Sequence, residues 1–287
     1  MLCTSKEMLD KAARGGYAVP AINTQGGTYD IIRAICMSAE RMQSPIILAH
    51  YMATGQFSGD DWFVETAKWC AERVSVPVAI HLDHCEDFAT CVRQMHTGFT
   101  SIMYDGSALP MLENAKRTEE VVRACHACGI PVEAEIGTLE KRDAEGNLLV
   151  KSTAADPEEV REFLKLCHPD SLAVGIGNAH GFYTEKPKIQ LEILDQIREF
   201  TDIPLVLHGG TGLDDDIVKQ AISRGIAKFN VATQIRHAHI QYLKQGIEEK
   251  RAGADNGHAW KLSEWVCGKL ADDVDKIIEL AGSAGKA

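Results

Sequence analysis

Ile203-Pro204-Leu205-Val206-Leu207-His208-Gly209-Gly210-Thr211-Gly212 holds a structural unit and a chemical one in a single short stretch. A proline at the head of a strand costs no ladder bond, and Leu205–Leu207 is the short apolar run of a strand buried on both faces. A histidine closes the run, and glycines release the backbone into a turn. The same head recurs in Ser44-Pro45-Ile46, Val76-Pro77-Val78 and Ile130-Pro131-Val132. Working outward, strands are expected at 17–23, 45–50, 77–82, 99–104, 131–136, 171–176, 204–207 and 227–231.

Helical segments fill the intervals, among them 61–74, 113–128, 157–166 and 191–200, with Gly98, Gly129 and Gly225 where helices should end. Thr4-Ser5-Lys6-Glu7 reads as a capping box opening a first helix, stopped at Gly15-Gly16. Ile32, Ile35, Cys36 and Ala39 share one face of the second. Eight βα units without a break imply an α/β fold, a (β/α)8 TIM barrel, as one domain over residues 1–287. A doubly wound sheet competes, but no Gly-x-Gly-x-x-Gly follows the first strand. Two parts fall outside the repeat. Residues 138–155 are polar and too long for a routine connection, as a mobile lid would be, and 262–287 form a C-terminal helical extension, a dimer arm or a barrel cap.

The chain has 287 residues, 45% of them hydrophobic, enough for one large core, and a net charge of −11. Nucleic acid and membrane surfaces favour a basic face, so neither is expected as a partner. No apolar run approaches the roughly 20 residues that span a bilayer. Nine cysteines without framework spacing, and an opening Met1–Lys6 unlike a signal peptide, point to reduced thiols in the cytoplasm. Cys125-His126-Ala127-Cys128 is the one CxxC; with no second pair to complete a knuckle, it reads as helix packing.

Barrel enzymes build their sites at the C-terminal ends of strands. The polar candidates gather there: Asn23, Asp83-His84, Asp105, Glu135, His180, His208 and Asn230. Three neutral imidazoles, His84, His180 and His208, with a fourth position open, suit a catalytic zinc ion. His81 is a candidate to support the ligands. The glycines after His208, with Asn230-Val231-Ala232-Thr233 and Gly181, occupy the loops where barrels hold phosphate. Metal, phosphate cradle and neighbouring carboxylate together suggest chemistry on a phosphorylated carbonyl compound.

At this point the chain resembles the zinc-dependent class II ketose-bisphosphate aldolases, with motifs most like the tagatose-bisphosphate branch. The likeness runs through Tyr17–Ala21, His81–His84, Val132–Gly137, Gly177–Gly181, Leu207–Gly212, Asn230–Thr233 and the ending Gly282–Ala287. It implies a lyase that reversibly splits a phosphorylated ketose into dihydroxyacetone phosphate and an aldehyde through a metal-stabilised enediolate. His84, His180 and His208 would hold Zn2+, with Asp105 and Glu135 supporting it or holding it in a second position. Asp83 would exchange the C4 hydroxyl proton. Gly181, Gly209, Thr211, Asn230 and Thr233 would hold the phosphorylated half beside a monovalent cation (Na+ or K+), in a homodimer or homotetramer.

Departures concern the other half of the substrate. Thr211 replaces a usual serine. The lid lacks the usual Gly-Gly and reads Glu140-Lys141-Arg142-Asp143-Ala144-Glu145. Asp143 is favoured by position as the base that takes the proton from dihydroxyacetone phosphate, with Glu140 and Glu145 in competition. His50-Tyr51, Asn23 with its Thr24-Gln25 continuation, and Lys141-Arg142 are read as substrate contacts that could take an anionic end other than phosphate, a sulfonate or carboxylate. Two rivals remain: a Schiff-base aldolase using Lys228, which an ion pair with Glu133 would explain equally well, and a non-catalytic sugar-phosphate-binding barrel.

Overall fold

The computed structural model describes the chain except for residues 139–140, 143–147, 151, 180 and 182–186. In chain order the elements are α1 (Ser5–Gly15), β1 (Val19–Asn23), α2 (Tyr29–Met42), β2 (Ile46–Tyr51), α3 (Met52–Gly55), α4 (Asp60–Ala71) and β3 (Val78–Cys85). Then come α5 (Phe88–Thr97), β4 (Ser101–Tyr104), α6 (Met111–His126), β5 (Val132–Ile136), β6 (Lys141–Arg142), β7 (Leu148–Val150) and α7 (Pro157–Leu166). The chain finishes with β8 (Ser171–Val174), α8 (Glu192–Arg198), β9 (Leu205–Leu207), α9 (Asp215–Ser223), β10 (Ile226–Val231), α10 (Thr233–Glu248) and α11 (Ala259–Ala281). Strands β1, β2, β3, β4, β5, β8, β9 and β10 close into a parallel barrel, each pairing where a strand was expected.

The register decides which side chains enter the barrel. Ala49 lies beside His81 and His81 beside Ser101; Met103, Glu133 and Ser171 share a rung. Glu135, Ala173, Val206, Lys228 and Val19 continue around the wall. Alternation puts these residues on one face, the interior. Ile46, Leu48, Leu82, Phe63 and Phe99 fill the outer core between strands and helices. Below, Met8, Leu9 and Ala12 of α1 seal the barrel floor against Val19, Ile47 and Ala79.

Helix α1 begins where the sequence predicts but not by the expected device. Thr4 occupies the N-cap position without a side-chain cap bond, so the capping box is not formed; Gly16 closes the helix at φ 65°. In the expected lid, β6 and β7 pair antiparallel above a Thr138–Thr153 bridge. The tail is tied to its own barrel. Ser38 Oγ donates to Asp275 at 2.6 Å, Ala18 N–H to Ala281 O at 2.9 Å, and Gly285 N–H to Met42 O at 2.9 Å.

Candidate active site

Consecutive residues of a strand point to opposite faces, so Asp83 and His84 should not both reach the interior. The backbone resolves this at His84. The β3–β4 register shifts between Leu82 and Cys85, and His84 stands at φ 52°, a left-handed conformation uncommon outside glycine. The bulge turns the imidazole inward beside Asp83, and such strain is found where surrounding structure enforces it.

His84 Nε2 then faces His208 Nδ1 at 3.0 Å, with the rings at 84°. Two lone pairs cannot share that gap, so a proton or a cation belongs in it. Nitrogens bound at about 2.0–2.1 Å in a tetrahedral zinc shell stand roughly 3.3 Å apart, close to the observed spacing. Both rings are braced from behind. His84 Nδ1 meets Asp105 Oδ2 at 2.8 Å, and His208 Nε2 meets Glu133 Oε1 at 2.9 Å. Metal-binding histidines commonly lean on a carboxylate in this way. Donor atoms of Asp83, His84 and His208 lie within 4.8 Å of one another, as do those of His84, Asp105 and Glu135. The residues fit zinc.

The electrostatics agree. Burial would lower the His84 imidazole, but Asp83, the Asp105 hydrogen bond and Glu135 outweigh it and push it up to about 9. Burial would raise Asp83, yet the neighbouring His84, the largest of the opposing charges, holds it below the usual carboxylate range. Asn230 Nδ2 donates to Asp83 Oδ1 at 3.3 Å. Beneath this cluster, Lys228 Nζ bonds both oxygens of Glu133 at 3.0 and 2.9 Å. It also meets His81 Nε2 at 3.3 Å. Burial and Lys228 hold His81 well below the ordinary imidazole range.

Beside Asp83 lies a small cleft lined by Ala21, Asn23, Ala49, Gly181, Gly209, Thr211, Asn230 and Val231–Thr233. It sits at the N-terminus of α10, a natural anion position. Gly209 is held at φ 61°, its α-carbon so close to Ala179 that a side chain would strike the carbonyl. Most expected site residues therefore converge.

One does not. The His50 ring lies on the outer face of β2, fully buried and stacked on Phe63 at 4.3 Å, with Nε2 bonded to Asp60 at 2.8 Å. It faces helices rather than substrate, and Ala49 takes the interior position. Tyr51 does reach the mouth, its ring edge-on to His84 at 6.4 Å. His180, Asp143, Glu140 and Glu145 lie outside the described residues, as do the side chains of Lys141 and Arg142. Sequence reasoning missed Asn178 and Ser107. Buried Asn178 accepts from Ile176 N–H at 2.9 Å and donates to His208 O at 2.7 Å, tying two site loops together. Ser107 Oγ donates to Asp105 at 2.6 Å. The clue to Asn178 was a lone amide amid small residues at a strand end.

Residues 3–286 match the family described as fructose-bisphosphate aldolase class-II. The D-tagatose-1,6-bisphosphate aldolase subunit GatY of Klebsiella oxytoca is 38% identical over 288 residues, 99% of each chain. The YdjI aldolase of Escherichia coli K12 superposes with a TM-score of 0.86 at 30% identity, covering 100% of both chains. The fructose-bisphosphate aldolase of Campylobacter jejuni shares the fold, with a TM-score of 0.79 at 21% identity over 100% of this chain and 97% of that one.

Proposed function

This chain belongs to the class II fructose-bisphosphate aldolase family, a lyase by that membership, and from this premise we propose that it reversibly cleaves a phosphorylated ketose, a ketose 1-phosphate or 1,6-bisphosphate of the fructose or tagatose type, into dihydroxyacetone phosphate and an aldehyde. The observation that carries the reading is the His84 Nε2–His208 Nδ1 gap of 3.0 Å beside a low-lying Asp83 carboxylate and the adjoining cavity. His84 and His208, joined by His180, would hold zinc, with Glu135 and Asp105 close enough to brace or share it. Bound there, zinc would act as a Lewis acid on the ketone carbonyl.

The chain's own groups do the rest. Asp83, ionised and held by Asn230, accepts the C4 hydroxyl proton as the C3–C4 bond breaks, and returns it in the condensation direction. Gly181, Gly209, Thr211, Asn230 and Thr233 seat the phosphate at the start of α10, beside a Na+ or K+ ion, and Asn23 lines the same cavity. Asn23 Oδ1 already accepts from Gln25 at 2.9 and 2.8 Å, which leaves its amide N–H groups for the ligand. Asp143 is assigned the proton at C3, with Glu140 or Glu145 as its substitute. Lys141 and Arg142, together with Tyr51, are assigned the far end of the substrate. We also read the protein as a cytoplasmic homodimer or homotetramer. All nine cysteines are free thiols, and Tyr29, Met37 and Trp69 are exposed apolar side chains of the kind that subunit contacts cover.

The test avoids choosing an aldehyde. Protein incubated with dihydroxyacetone phosphate in deuterated water should exchange a C–H proton, followed by proton NMR. Exchange should stop with chelator and return with zinc. Zinc-loaded protein that exchanges nothing, and cleaves no ketose phosphate in a panel, would refute the reading.

A further inference from the structure

The barrel interior below the site carries a polar chain for which the aldol chemistry has no use. It begins at Ser5 on α1, whose Oγ lies 2.8 Å from Ser101 Oγ. Ser101 Oγ meets His81 Nδ1 at 2.7 Å, and His81 Nε2 meets Lys228 Nζ at 3.3 Å. Lys228 holds both oxygens of Glu133, and Glu133 Oε1 reaches His208 Nε2 at 2.9 Å. All six residues are buried, none more than 4% exposed. Barrel layers are ordinarily filled by branched apolar side chains, and a buried ion pair is seldom more stabilising than apolar residues of the same size. Stability alone does not account for charge at this place.

One member of the chain has no freedom of role. An ammonium donates and never accepts. His81 Nε2 must therefore accept from Lys228, which places the His81 proton on Nδ1, facing Ser101. Both Glu133 oxygens face the same ammonium and serve as acceptors. Oε1 also receives His208 Nε2, so that nitrogen must carry the hydrogen. A neutral imidazole carries one. His208 is left with its lone pair on Nδ1, the atom that faces His84 across the metal gap.

We propose that the Lys228–Glu133 ion pair orders the protons of the metal site, fixing His208 in the tautomer whose Nδ1 binds the metal. Lys228 and Glu133 are then positioning residues, acting through His208 and touching neither metal nor substrate. The inference rests on the metal reading above. It gives Lys228 a purpose that needs no Schiff base, and it explains why a charged pair stands directly under the ligand it serves. A carboxylate behind a ligating imidazole also raises the basicity of the ligand.

The test reads the proton directly. In metal-free protein carrying 15N-labelled histidine, long-range 15N–1H correlation distinguishes the two tautomers, with His208 assigned by its loss in His208→Asn. His208 should be protonated at Nε2. The variant Glu133→Leu/Lys228→Met removes both charges together and leaves no unpaired buried ion. Its His208 should be a mixture of tautomers, and zinc affinity by chelator competition should fall about 10–100-fold. Glu133→Gln keeps an oxygen acceptor and should fall between, with the spectrum deciding the matter if the double variant does not fold. His208 protonated at Nδ1 in the unaltered protein would overturn the proposal. So would a folded double variant binding zinc within about twofold of the parent. A parent protein that binds no zinc would instead strike the metal reading, while the tautomer spectrum judges this one separately.

Discussion

Asp83, Glu135 and Asn230 stand at the barrel mouth; His81, Glu133 and Lys228 stand two residues earlier on the same three strands. The residue types overlap, and the behaviour does not. At the mouth, the carboxylates of Asp83, Asp105 and Glu135 crowd around two imidazoles. Negative charge is in excess there, and a bound cation would resolve it. One rung lower, Glu133 is matched by Lys228, and His81 is held neutral between an ammonium and a serine. That layer satisfies itself. Charge imbalance, rather than the presence of histidine and carboxylate, separates the candidate metal site from the balanced layer that positions it.

The comparison breaks most visibly at the upper rung. His84→Ala should cost zinc affinity more than the roughly 100-fold that outer partners carry, with activity lost alongside bound metal. Metal analysis of the purified variant checks it. Asp83→Asn should leave zinc in place and lower kcat by about 10²–10⁴, the range for removal of a positioned acid–base group. Retained metal with unchanged turnover would remove Asp83 from the chemistry.

The lower rung should fail in stability as well as in the ordering of His208. Lys228→Ala leaves Glu133 buried without its partner and should cost about 3–5 kcal/mol in denaturant unfolding. Borohydride treatment with substrate should trap no adduct on the parent protein. Ser101→Ala strips His81 Nδ1 of its acceptor and should cost about 1–3 kcal/mol while turnover stays near the parent's.

The smallest effect concerns His50, behind both rungs. Burial lowers its imidazole, against the opposing pull of the Asp60 hydrogen bond. Folded protein therefore keeps His50 neutral where the unfolded chain, near 6.5, takes up a proton. Its contribution to stability is complete above about 6.5 and is lost as pH falls through the lower folded value. His50→Phe should flatten that limb in urea titrations between acidic and neutral pH.

The barrel was legible because its units draw on the same signals. A helix-ending glycine precedes some strands (Gly16, Gly98, Gly129, Gly225) and a proline opens several, then an apolar run and a polar closure follow. The site followed because barrel chemistry gathers at strand ends, so Asp83, His208 and Asn230 announced themselves by position. The errors have physical causes too. Strand β2 is buried on both faces, so Ile46–His50 shows no alternation by which to see that His50 points outward and Ala49 inward. The bulge at His84 leaves no mark in composition, since a positive φ at histidine is imposed by its surroundings. Thr4 matched a capping pattern that asks only for residue types, whereas the cap bond depends on a rotamer. Lys228 and Glu133 were visible as a pair, but their link to His208 needed the register of three strands.

The most direct test is anomalous diffraction at the zinc edge from crystals of the zinc-loaded protein. A peak between His84 Nε2 and His208 Nδ1, with none in the His81–Lys228–Glu133 layer, is the predicted result. A peak in the lower layer, or zinc-loaded crystals with no metal between the two histidines, would contradict the claim that charge imbalance at the mouth makes the catalytic site.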